Sequence, residues 1–263
     1  MNFTYIIEKI KNAQIIEHPF PHLDIQNLLS DEHLNLIIND TQIHFEEMNS
    51  NDDLHEKLIK NGWKIQNFPG CVDDWKSYLE YLEKKKKYIT NTPVEMVGIT
   101  FRLISYKNDL IKELIKYMNS NIFHEALKNK FNIKNKTIIT TAIQKNLTGY
   151  EISPHPDIRS KCLTYLLNIN NNIDIEKEDC HTHLLEFKEE YKYKQKFWKE
   201  NLKIQREWVP WNWCNTIKTM NKNNSMLIFQ PDSDPPTLHA IRLKYNHLKY
   251  QRTQIYGNLM FKN

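Results

Sequence analysis

Three residues of this chain, His155, Asp157 and His239, are of the types that hold a divalent transition metal through nitrogen and oxygen. The first two close the run Gly149-Tyr150-Glu151-Ile152-Ser153-Pro154-His155-Pro156-Asp157. The third sits in Thr237-Leu238-His239-Ala240-Ile241, directly after a Pro-Pro turn. Two imidazoles and one carboxylate on one side of an ion leave three coordination positions open for reactants. Residues i and i+2 of an extended segment project to one face, so a single ion can take both His155 and Asp157. Pro154 and Pro156 fix φ and hold that segment extended. A histidine and an aspartate two apart are common by chance. What raises this pair is its place between two strand-like runs, at 137–147 and 161–169.

The third ligand must come from a distant strand folded alongside, and two histidines compete for it. His239 lies in an apolar run, whereas His247, among Lys244, Asn246 and Lys249, reads as an exposed loop. We favour His239; its alternative reading is a buried histidine satisfied by hydrogen bonds. Arg252 opens the last strand pattern, Arg252-Thr253-Gln254-Ile255-Tyr256. A guanidinium presents a planar fork that pairs with a carboxylate bidentately. Arg242 and Lys249 are the competing cations; Arg242, three residues beyond His239, points to the opposite face of that strand. Gln254 shares the face of Arg252. A rival metal set, Cys180, His181, His183 and Cys214, lacks the paired ligand spacing of a zinc site. His183 to Phe187 reads better as a barrel strand.

These lines resemble the 2-oxoglutarate- and Fe(II)-dependent dioxygenases of the prolyl-4-hydroxylase-like superfamily. The resemblance runs from about residue 137 to the C-terminus. A weaker echo lies in the extended segment before Leu28-Leu29-Ser30-Asp31-Glu32. It implies Fe(II) at His155, Asp157 and His239, with 2-oxoglutarate as co-substrate and its far carboxylate on Arg252. Asn146 falls where relatives often carry a polar co-substrate contact. Asn168 falls where they carry a tyrosine, a departure that puts this contact in doubt, and Gln254 would assist Arg252. The implied reaction is hydroxylation by dioxygen with release of succinate and CO2. With no extended binding module flanking the barrel pattern, the expected substrate is a small molecule such as an amino acid, a sugar or a natural-product intermediate. Arg159 is a candidate for a polar or anionic substrate. The alternatives are a catalytically silent jelly-roll that binds a carboxylate ligand or a protein, and an oxygenase acting on a protein or nucleic acid.

The elements that must position these residues read as one α+β domain over 1–263. Residues 1–135 are mainly helical, with helices expected at 5–12, from Ser30-Asp31-Glu32, at 72–88 and at 108–130, and a strand from Val94 to Ile104. From 136 to 263 short β runs follow, at 137–147, 161–169, 183–188, 225–230, 238–243 and 252–261. Such a series after a helical half fits a jelly-roll with the helices packed on one face; in the resembled family this is the double-stranded β-helix. The interval between Asp157 and His239 holds an insert at about 186–218 rich in Trp and Tyr, including Trp211 and Trp213. It is either a helical packing element or a lid that touches substrate.

Composition narrows the class. The chain is 40% hydrophobic and 26% charged, ordinary for a globular protein. A net charge of +4 from 36 basic and 32 acidic residues makes no case for nucleic acid. The densest basic run, Lys84 to Lys87, suits a helix end. Four widely spaced cysteines fit reduced thiols, and no stretch approaches the ~20 apolar residues of a membrane span. The expected location is the cytoplasm, and oligomeric state is left open.

Overall fold

Short polar residues start the helices. Ser30, Ser50, Asn108 and Ser120 each accept a hydrogen bond from a backbone N–H of the first turn that follows. The computed structural model describes residues 2–85, 91–231 and 233–262; Lys86 and Lys87 of the basic run lie outside the described residues. The N-terminal part comprises α1 (Thr4–Asn12), β1 (His22–Ile25), α2 (Asp31–Ile38), α3 (Asn51–Lys60), β2 (Trp63–Ile65), α4 (Trp75–Lys85), β3 (Thr100–Leu103), α5 (Asp109–Met118) and α6 (Asn121–Lys130). Then come β4 (Thr137–Asn146), β5 (Glu151–His155), β6 (Lys161–Asn168), β7 (Thr182–Phe187), α7 (Tyr193–Glu200), β8 (Cys214–Met220), β9 (Met226–Phe229), β10 (His239–Arg242) and β11 (Thr253–Phe261). Among the described residues no helix is long and apolar enough to cross a membrane.

The strands form two antiparallel sheets, in the orders β1-β9-β6-β11-β4-β3-β2 and β5-β10-β7-β8. From β4 onward the chain changes sheet at every step except β7 to β8, which winds the two sheets together as the expected double-stranded β-helix. Alternation divides the larger sheet. Ile143 of β4, Leu163, Tyr165 and Leu167 of β6, and Ile255 and Leu259 of β11 face the helices. There they pack in one core with Leu110, Ile111 and Leu114 of α5. The intervening residues of the same strands face the smaller sheet.

Four details differ from the sequence expectation. The helix expected at 108–130 is two helices, because Ser120 caps a new start directly after α5 ends. The helical part also supplies an unexpected β2 to the larger sheet, beside β1 from the extended segment before Leu28 and β3 from the expected strand. The strand expected from Val94 to Ile104 is bent at Gly98 (φ 88). Before the bend, Val97 bridges to Glu151 of β5; after it, β3 pairs with β4. One segment therefore belongs to both sheets, and a Cβ at position 98 would stand 2.6 Å from Tyr150 Cα. Lastly, the excursion between β7 and β8 is shorter than 186–218, since 214–218 already lies in β8. On the opposite flank, Lys218 of β8 forms an ion pair with Asp24 of β1 at 2.5 Å.

Gly257 of β11 leaves the space that Tyr165 fills: a Cβ there would meet the ring at 2.1 Å. Gly257→Ala should therefore destabilise the fold by about 1–3 kcal/mol, the usual cost of overpacking. Denaturant unfolding measures it, and an unchanged midpoint would contradict this packing.

Candidate active site

His155 ends β5 and His239 begins β10, directly opposite each other in the antiparallel register. Their ring centroids are 4.2 Å apart. The Nδ1 of His155 stands 2.8 Å from the carbonyl of Ser153. A carbonyl only accepts, so Nδ1 carries the proton and Nε2 keeps its lone pair. The Nδ1 of His239 is buried without a hydrogen-bond partner.

Asp157 lies two residues beyond His155 but is not carried inward by strand alternation. It has left-handed backbone geometry, φ 49, which aspartate tolerates better than most residues. Its Oδ1 accepts from Lys161 Nζ at 2.6 Å and from the Ile158 N–H at 3.0 Å, and its Oδ2 from Thr164 Oγ1 at 2.8 Å. Lys161 Nζ also donates to Tyr256 Oη at 3.1 Å, and Tyr256 in turn donates to Asn258.

Burial sets the charge states. It pushes both imidazoles down, well below the ordinary range for His239. Burial pushes the Asp157 carboxyl up, but the Lys161 ammonium beside it opposes this and the group stays below its usual range. Two neutral imidazoles and an ionised carboxylate are the protonation states that a metal requires of its ligands. With the orphaned Nδ1 of His239, this donor set fits a divalent ion. The fit is not a finished cage: among the described residues no three such side chains already enclose an ion position. The Cys180, His181, His183 and Cys214 set is likewise no cage.

All three residues line one cleft between the sheets, about 490 Å³ counting its open mouth, together with Arg252, Gln254 and Asn146. Arg252 is buried, and its partners are neutral: Nη1 donates to Asn146 Oδ1 at 3.0 Å and Nη2 to Thr182 Oγ1 at 3.4 Å. Among the described residues no carboxylate stands against it. Gln254 donates to Asn168 Oδ1 at 2.7 Å. Asn168 itself does not line the cleft; it braces Gln254 and bonds the Lys222 carbonyl.

The structure does not bring Arg159, Trp211 or Trp213 to the cleft. Arg159 instead fastens the excursion: its Nε donates to the Ile204 carbonyl at 2.9 Å, and its guanidinium lies over the Trp198 ring at 4.0 Å. Val209 N–H donates to the Pro154 carbonyl at 2.9 Å, so the excursion grips the ligand-bearing turn from both ends. Trp211 donates to Glu151 at 2.9 Å, and Trp213 stacks on Tyr191 at 4.5 Å. Arg242 pairs with Glu151 at 2.6 Å, away from the cleft. His247 is buried rather than exposed; it meets Asn51 Oδ1 at 2.6 Å, and burial brings its pKa to about 4. Sequence reasoning passed over Lys161 and assigned no role to Thr164 or Tyr256, and all three line the cleft.

No family model and no curated protein matches this sequence. Among solved structures, the fold is similar to a prolyl hydroxylase from Trichoplax adhaerens in complex with a hypoxia-inducible-factor oxygen degradation domain peptide. Identity is 11%, coverage 98% of this chain and 89% of that one, and the TM-score 0.43. It is similar to a prolyl-4-hydroxylase from Pseudomonas putida at 9% identity, covering 88% of this chain and 100% of that one, TM-score 0.40. A third is an oxidoreductase of the 2OG-Fe(II) oxygenase family from Burkholderia pseudomallei, at 9% identity, 84% and 95% coverage, and TM-score 0.37.

His155→Ala and His239→Ala should each abolish Co(II) binding measured by calorimetry, while His247→Ala, outside the cleft, retains it. Loss of binding in His247→Ala alone would overturn the ligand set.

Proposed function

We propose that this chain is a 2-oxoglutarate- and Fe(II)-dependent oxygenase that hydroxylates a small molecule. The observation that carries the reading is Arg252: a buried guanidinium with only neutral partners, in the same cleft as two neutral imidazoles and an ionised carboxylate. A buried cation without a counter-charge is costly. A ligand carboxylate removes that cost and gains bidentate geometry.

His155, Asp157 and His239 would hold the metal. When bound, the iron supplies activation of dioxygen coupled to oxidative decarboxylation of 2-oxoglutarate to succinate and CO2, with oxidation of a substrate C–H bond. The chain's own residues do the positioning. Arg252 and Gln254 take the far carboxylate of the co-substrate, and Asn146 holds the guanidinium plane in place. Asn168 holds the Gln254 amide in turn. Leu166, Ile152, Ala240 and Ile241 supply apolar wall, which keeps water from competing for the charged groups.

One observation favours a second reading. Lys161 already neutralises Asp157, as a silent carboxylate-binding jelly-roll would also permit. Anaerobic titration with Fe(II) and 2-oxoglutarate separates the two: the oxygenase develops a weak visible charge-transfer band, and the silent binder shows none. On either reading Arg252→Leu should lose the thermal stabilisation that 2-oxoglutarate confers, worth about 2.7 kcal/mol at a hundredfold excess over Kd. A shift of wild-type size in Arg252→Leu would move the role to another cation.

A further inference from the structure

We propose that Lys161 is a resident counter-cation of Asp157 whose charge opposes a divalent ion at the same carboxylate, so that Lys161 sets how weakly the site holds metal. This rests on the metal-site reading above. Nζ stands 2.6 Å from Oδ1, the same oxygen accepts from Ile158 N–H at 3.0 Å, and Oδ2 faces Thr164 at 2.8 Å. A carboxylate offers about four lone-pair sites, so these three contacts fill Oδ1 and leave one position on Oδ2. An ion arriving beside the two imidazoles meets a carboxylate already paired with an ammonium and is repelled by it. Both side chains are largely withdrawn from solvent, 17% and 2% exposed, so water and salt screen the repulsion poorly.

Tyr256 Oη, 3.1 Å from Nζ, gives the ammonium a second seat within the cleft. Metal entry is thus an exchange of charge partners: the ion takes over Asp157, and Lys161 leans to Tyr256 without leaving the site. Lys161 is a positioning residue with two effects of opposite sign. Without metal it spares Asp157 from being buried as a lone charge. With metal its charge opposes the ion.

Co(II) titration calorimetry on wild type, Lys161→Gln, Lys161→Arg and His155→Ala tests this, with melting followed with and without Co(II). Lys161→Gln keeps a hydrogen-bond donor and drops the charge. It should bind Co(II) at least about tenfold tighter, because a like charge at contact distance in a poorly screened site is worth more than that. Its metal-free melting temperature should fall below that of wild type, and its Co(II)-induced rise should be larger. Lys161→Arg, which keeps the charge, should stay near wild type. If metal-free Lys161→Gln does not fold, release of Co(II) from the loaded variant to a chelator yields the same affinity. Equal or weaker Co(II) binding by Lys161→Gln overturns the proposal. Binding that is lost in His155→Ala but unchanged in Lys161→Gln refutes the Lys161 exchange alone. Binding that is absent from wild type, or untouched in His155→Ala, refutes the metal-site reading with it.

Discussion

The alternation of β11 is the constraint on which everything else depends. This strand lies inside the larger sheet, hydrogen-bonded to β4 on one side and β6 on the other. Ile255, Gly257 and Leu259 serve the helix-side core, and Gln254, Tyr256 and Asn258 serve the cleft side. A slip of one residue would exchange the two sets, burying amides among leucines and emptying the cleft of its polar groups. The large apolar face therefore enforces the register, and the register delivers the chemistry. Tight contact between Gly257 and Tyr165 adds a steric check at the middle of the strand.

Within that frame the cleft keeps charges that a protein interior ordinarily avoids. Arg252 is held by an amide and a hydroxyl, partners that orient it without cancelling its charge. Asp157 is treated in the opposite way, with a cation and two further donors on its carboxylate. The cleft thus holds one open positive charge and one closed ion pair. A third buried cation, Lys145, lies on the other face of β4 between the Phe45 and Trp63 rings and is unrelated to this pair. It ties the 40s loop to the sheet through the Ile43 carbonyl, at 2.7 Å.

Much of this was legible from the residues. The β runs after Thr137, with their short polar turns, announce a wound pair of sheets. The motif residues lie at strand ends, where the fold collects them. What escaped reading did so for local physical reasons. Asp157 reaches the cleft through a left-handed turn, which strand periodicity does not describe. Lys161, four residues on, looks like a surface lysine until the turn folds it back on Asp157. His247 has lysines for neighbours in sequence, yet Tyr78 and Asn51 in space, and only the packing of α3 and α4 buries it. Arg159 has the charge of a substrate contact, but the carbonyls of the excursion claim it.

The two flanks of the cleft are joined by different means. On one, residues 94–103 run continuously from the smaller sheet to the larger through the corner at Gly98, so covalent backbone spans the gap. On the other, the Lys218–Asp24 pair reaches from β8 to β1, with Lys218 partly in water. The molecule is built like a bound book: a spine at Gly98 and a clasp at Lys218. Dissolved ions screen the clasp, which stands partly in water, and leave the backbone corner at the spine untouched.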